Sequence, residues 1–286
     1  MAGVSLLVLS KRLKTVSSTR KITSAIGLVA ASKFQKAKRL LAANEVHFQS
    51  LKGIVADVVN HVAEPSPVYF ANHSESPKMY VVFNSAKGMV GGYNSEIMGK
   101  TLQLLEAAEK PPFLMTTGTR GLVMIDQFIH DDNFKMITVG DIPQFKHTEE
   151  IYGHLIGLYQ DRVVSEINLI YTEYLSPVKN QVVMKRFLPL DEEFAVTDPD
   201  RTEYEFQPQP DRMQDRIFPL YLKEKLYNCA LHAKTSEQAV RMRSMDSATK
   251  NADGLLNDLS KQFNRLRQNT ITQQITEIVG GAEALK

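Results

Sequence analysis

At 286 residues, with 43% hydrophobic and 23% charged side chains, the chain has room for one large or two modest domains and the composition of an ordinary folded protein. Its net charge of +2 excludes a uniformly basic or acidic protein, yet nine Lys or Arg and no Asp or Glu lie between Lys11 and Arg39. The single cysteine, Cys229, excludes an internal disulfide and a cysteine-rich metal cage, and no apolar run of about 18 residues is present to span a bilayer.

The N-terminal apolar piece, Val4 to Leu9, has no basic segment before it and is too short for a secretory signal. Ser17 to Lys21 has the composition of a transit peptide, but a helical period runs through it without a cleavage-like break. That period predicts a long helix from Val4 to Val62. Its apolar positions are Leu6, Leu9, Leu13 and Val16, then Ile22, Ile26, Ala30, Phe34, Ala37 and Leu41, then Phe48, Leu51, Val55, Val58 and Val62. The small residues Ala25, Gly27, Ala30 and Ala31 would let a partner helix approach closely. Glu64-Pro65-Ser66-Pro67 ends the helix, and a polar linker follows.

The rhythm then changes. Met79 to Phe83 reads as a strand, Gly88 to Gly92 as a tight turn, and Asn94 to Glu109 as a helix. Phe113 to Thr117 is a strand, Thr119 to Ile129 a helix, Phe134 to Val139 a strand and Thr148 to Val164 a helix. Ile167 to Tyr174 and Gln181 to Phe187 form a hairpin about Ser176-Pro177. This alternation predicts a small, partly parallel α/β domain of about five strands, Rossmann-like in character. An acidic, proline-containing connector leads into a second long helix, in which Pro219 marks a kink or the true start.

That last helix carries the series Met242, Met245, Thr249, Ala252, Leu256, Leu259, Phe263, Leu266, with the three-and-four spacing of a coiled-coil seam. After Leu266 the series slips to Ile271, Ile275 and Ile278, so the stripe should leave its partner there. The expected fold class is therefore α/β plus a long antiparallel coiled coil, the terminal helices pairing as a shaft. The expected divisions are 1–62 for the N-terminal helix, 77–195 for the α/β domain, 196–210 for the connector and 211–286 for the C-terminal helix.

No catalytic constellation is legible. Gly88 to Gly92 fits neither phosphate-loop spacing and is readable as a plain strand-to-helix turn. The seven histidines have no metal-ligand spacing, although His147 and His154 could share a helix face. The basic run of the first helix leaves three readings open: a solvated face, a coiled coil that binds nucleic acid or acts as a scaffold, or complementarity to an acidic protein partner.

Both ends of the chain nevertheless resemble one family. Lys21-Ile22-Thr23-Ser24-Ala25-Ile26 with Val29-Ala30-Ala31-Ser32-Lys33 is similar to K-I-T-x-A-M…V-A-A-x-K of the gamma subunit of F-type ATP synthases, the central rotor shaft. Ser236 to Met242 resembles S-E-x-A-A-R-M, Ala248 to Ala252 resembles A-T-x-N-A, and Asn264 to Gln268 with Ile271 to Ile278 and Gly281-Ala282 resembles the family's ending. Lys87 to Asn94 is similar to R-G-L-C-G-x-x-N. The chain departs from the family at Ile26, in place of Met, and at Gln274, where an amide that can hydrogen-bond replaces a carboxylate.

The resemblance implies a subunit with no catalytic, cofactor or metal residues of its own and no direct small-molecule or nucleic-acid ligand. It would turn inside a hexamer of alpha and beta subunits, with Lys21, Ile26, Arg265, Arg267, Gln268, Thr272 and Gln274 as contacts. Tyr204 and Gln207 would lie near the membrane c-ring and the small epsilon subunit. The absence of a presequence pattern and of the inserted cysteine pair of the longer chloroplast form favours a peripheral place on the cytoplasmic face of a bacterial membrane, with a mature organelle form as the alternative. The coupling ion, proton or sodium, would be chosen in the ring.

Overall fold

A computed structural model describes residues 2–62, 66–71, 75–190 and 206–283. The chain divides into two compact units, Met1–Ala30 with Arg241–Lys286, and Ala31–Val240. Two long helices contribute to both: α1 spans Ala2–His61 and α5 spans Pro210–Glu283. Pro219 lies inside α5 and is not its start; Pro210, which needs no amide partner in the first turn, begins the helix instead.

In the first unit the two helix ends run antiparallel in one register. Arg20 Nε donates to Asp253 Oδ1 at 2.7 Å, the hydroxyls of Thr23 and Thr249 lie 2.8 Å apart, and a Cβ on Gly27 would be 3.4 Å from Met245 Cβ. The numbers in each pair add to 272 or 273. The same register sets Leu6, Leu9, Leu13 and Val16 opposite Leu266, Phe263, Leu259 and Leu256, and all eight are buried or half-buried. The C-terminal seam follows the sequence pattern position by position. On α1 one position differs: Ile22 is 59% exposed, and the half-buried residue beside it is Thr23. The apolar groups supply the bulk of the association, whereas the exposed Arg20–Asp253 pair contributes at most about 1 kcal/mol.

The second unit is built on a five-stranded sheet in the order β3-β2-β1-β4-β5. The strands are β1 (Lys78–Val82), β2 (Phe113–Thr116), β3 (Phe134–Met136), β4 (Glu166–Tyr174) and β5 (Asn180–Leu188). Only the β4–β5 hairpin is antiparallel. β1 is apolar on both faces, as a strand covered on both sides must be. Tyr80 and Val82 pack with Ile97, Met98 and Leu105 of α3 (Tyr93–Glu106). Met79 and Val81 face Ile151, Leu155 and Tyr159 of α4 (Phe145–Gln160), in a cluster shared with Leu51 and Val55 of α1 and Tyr221 and Leu226 of α5. Phe48 stacks on Tyr221, with ring centroids 5.7 Å apart and planes within 10°.

The remaining differences from the sequence reading are local. Pro67–Phe70 forms a short helix, α2, where only linker was expected. The helix expected over Thr119 to Ile129 is instead two 3-10 turns, Leu122–Met124 and Asp126–Phe128. Gly121, at φ +87, breaks the backbone before a helix can begin. α4 starts earlier and stops at Gln160, followed by Arg162 at φ 57. Of the expected connector 196–210, residues 196–205 lie outside the described residues, as do 191–195 at the end of the expected α/β domain.

One position in the second unit admits no side chain. A Cβ on Gly118 would sit 2.3 Å from the backbone carbon of Ser85, against backbone that cannot swing aside. Gly118→Ala is expected to lower stability to urea by about 1–3 kcal/mol. Gly53→Ala, mid-helix with nothing within 4 Å of the new methyl, should raise stability by about 0.5–1 kcal/mol.

Candidate functional site

The register decides where α5 loses its partner. With paired numbers adding to about 272, the start of α1 at Ala2 stands opposite Thr270, the last half-buried residue of α5. Every residue from Ile271 to Gly280 is exposed. Ile271, Ile275, Ile278 and Val279 are 47%, 56%, 72% and 56% exposed, an apolar set with no cover in this unit. At 3.6 residues per turn this stripe lies roughly 120° around the helix from Leu259, Phe263 and Leu266. The slip read from the sequence is thus a real change of face.

The expected contact residues fall into two groups. Arg265, Arg267, Gln268, Thr272 and Gln274 are all exposed and share the last turns of α5, Arg265, Gln268 and Thr272 on one side and Arg267 and Gln274 on another. The polar side chains here bond within the helix: Thr270 and Thr276 donate to the carbonyls of Leu266 and Thr272, and Gln273 Nε2 donates to Glu277 Oε1 at 3.0 Å. Lys21, exposed, and Ile26, half-buried, stand opposite 251 and 246, roughly 20 Å or more down the helix from Arg265 at 1.5 Å per residue. Gln207 is exposed just before α5, next to Phe206, whose ring lies 5.0 Å from that of His61. Tyr204 lies outside the described residues.

Beside the glycine turn, the side chains of Asn84, Ser85 and Asn94 bond to one another and to nearby backbone. The Ser85 amide donates to Asn94 Oδ1 at 3.0 Å, Asn94 Nδ2 donates to Ser85 Oγ at 2.8 Å, and Asn84 Nδ2 donates to the carbonyls of Gly118 and Arg120 at 2.7 and 2.9 Å. These bonds tie the carboxyl end of β1 to the start of α3 and to the segment after β2. Among the described residues no group of three His, Cys, Asp or Glu side chains is placed to hold a metal.

Sequence periodicity missed a polar network inside the helix pairing of the second unit. Asn44 occupies the seam between Leu41 and Phe48 and donates to Glu224 Oε1, while Asn228 Nδ2 donates to Asn44 Oδ1 and Glu45 Oε2, both at 3.0 Å. His232 is held in one tautomer: Nδ1 accepts the Tyr174 amide at 3.2 Å, so Nε2 carries the proton and faces Glu45 Oε2 at 3.7 Å. Further along α5, Lys234, Ser236 and Glu237 are buried; Lys234 donates to Glu237 at 2.9 Å and Ser236 to the Thr172 carbonyl at 3.1 Å. The gap at 44 in an otherwise apolar series was the available signal, since polar seam residues fix register at a cost in stability.

A second cluster joins segments far apart in sequence. Asp141 Oδ2 accepts from Lys33 Nζ at 2.5 Å and from Lys87 Nζ at 2.8 Å.

The sequence model of the family described as ATP synthase matches residues 5–285. The chain is 38% identical over 287 residues to the ATP synthase gamma chain of Clostridium kluyveri, covering all of both chains. The chain belongs to the ATP synthase gamma chain family. Gamma chains of Clostridium novyi and Clostridium acetobutylicum are 37% and 34% identical, the first over 99% of both chains and the second over all of both. The gamma-chain fold is matched by a chain in the Euglena gracilis mitochondrial ATP synthase assembly of OSCP, F1 and c-ring, with TM-score 0.67, 15% identity and coverage of 99% of this chain and 95% of that one. A chain of the Tetrahymena thermophila central stalk and c-ring matches with TM-score 0.58, 23% identity and coverage of 79% and 99%.

Burial first, only partly opposed by Glu45, lowers the pKa of His232 below its ordinary 6.5. The unfolded chain then binds a proton that the folded chain refuses, so this group's stabilisation is complete above pH 6.5 and is lost as pH falls toward the lowered value. His154, lowered by burial and Lys135, acts in the same direction. Urea unfolding at several pH values should show stability falling between about pH 7 and 5, with a shallower fall in His232→Gln and shallowest in the double variant with His154→Gln.

Proposed function

We propose that this gamma chain is the non-catalytic central stalk of an F-type ATP synthase. The free end of α5 turns inside the ring of alpha and beta subunits and the second unit serves as the foot. The observation that carries this reading is the end of α5 beyond Thr270: continuous helix, apolar on a new face and without a partner in its own unit. An asymmetric end of this kind shows each surrounding catalytic site a different surface as it turns. It shifts their conformations only through contacts that differ between states.

Arg265, Arg267, Gln268, Thr272 and Gln274 contact the hexamer at that end, and Lys21 and Ile26 contact it lower down. Gln207 and Tyr204 lie toward the c-ring and the epsilon subunit. No helix among the described residues is long and apolar enough to cross a membrane, so attachment runs through these partners, on the cytoplasmic face of a bacterial membrane. Nucleic-acid binding is not favoured, because Arg20 and Lys33 of the basic run are already bonded to Asp253 and Asp141.

Gentle detergent extraction of the tagged chain should bring down the alpha, beta and epsilon subunits and the membrane ring. Recovery of the chain without any of them would end this reading. In the purified complex, Arg267→Ala with Gln268→Ala should lower ATP hydrolysis about tenfold, the scale of one or two charge-assisted hydrogen bonds, with no change in subunit composition.

A further inference from the structure

We propose that Asp141 is a positioning residue that makes helix α1 and the sheet of the second unit turn as one body. This rests on the rotor reading above. Lys33 is on α1, Lys87 in the turn after β1 and Asp141 in the loop after β3, so one carboxylate gathers three segments at the carboxyl end of the sheet.

Around Lys33, α1 is otherwise held by apolar contact: Ala30 and Ala37 are buried, and Phe34 meets Tyr174 of β4 edge-on with centroids 5.8 Å apart. Apolar burial resists separation but has no direction, so it opposes rolling of a helix about its axis weakly. A hydrogen bond does oppose it. A rotation of about 10° moves a group at the helix surface, some 5–6 Å from the axis, by about 1 Å, so the Lys33 stem must change rotamer or the bond must lengthen.

The geometry is also constant in sign. Burial alone would raise the Asp141 pKa, but the hydrogen bonds and charges of Lys33 and Lys87 bring it down to about 2, so the carboxylate stays ionised under working conditions. Lys33 and Asp141 are largely shielded, at 33% and 26% exposure, while Lys87 is 64% exposed and more open to screening by salt. The Lys33 arm is therefore the stronger of the two.

The test uses the intact complex in sealed vesicles, with ion transport and ATP hydrolysis measured together. Asp141→Asn should lower ions moved per ATP hydrolysed by about twofold, Asp141→Lys should lower it further, and Asp141→Glu should keep most of the wild-type ratio. Unchanged subunit composition in all three would separate this from misassembly. In parallel, hydrogen exchange on the isolated full chain should show amides of 85–90 and 137–144 exchanging faster in Asp141→Asn. A wild-type transport ratio in Asp141→Lys overturns the proposal, as does unchanged exchange at those amides. Failure of the wild-type chain to assemble at all would instead refute the rotor reading, and the exchange result would still decide whether the latch exists.

Discussion

The antiparallel register of α1 against α5 is the constraint on which the functional reading depends. It is set in the first unit by three contacts, Arg20 with Asp253, Thr23 with Thr249 and Gly27 with Met245. Burial along α5 ends at Thr270 in that register, and the exposed isoleucines beyond it are left for a partner outside the unit.

A seam made only of leucine and alanine would tolerate slippage by a turn, since every apolar contact would be replaced by a similar one. Asn44 and Asn228 prevent this in the second unit, again at numbers adding to 272, because a shifted register would strand Glu224 and both amides without bonds. Their burial is worth little as stabilisation and much as specification. Asp141 works by the same logic between a helix and a sheet, where packing alone opposes rotation weakly.

The long helices, the seam and its slip were legible in the sequence because a narrow apolar stripe leaves a periodic record. The alternation of strand and helix implied a partly parallel sheet, and Ser176-Pro177 the hairpin, but the strand order came only with the fold. Three things left no such record. Thr23 took the place of Ile22 because the helix face is chosen by the partner's register and not by hydrophobicity alone. The segment after β2 became 3-10 turns because one left-handed glycine, Gly121, outweighed a plausible helical period. Lys33 and Asp141 stand 108 residues apart, and only the fold brings them together. The contact residues at the end of α5 came from family resemblance; periodicity showed that this end was free but not which side chains matter.

The central claim is that α5 beyond Thr270 is free in its own unit and covered in the assembled complex. Amide hydrogen exchange over α5, measured on the isolated chain and on the purified ATP synthase, tests it directly. Slow exchange from 249 to 266 in both samples, with 271–280 fast in the isolated chain and slow in the complex, is the predicted result. Equally fast exchange at 271–280 in both would contradict the account.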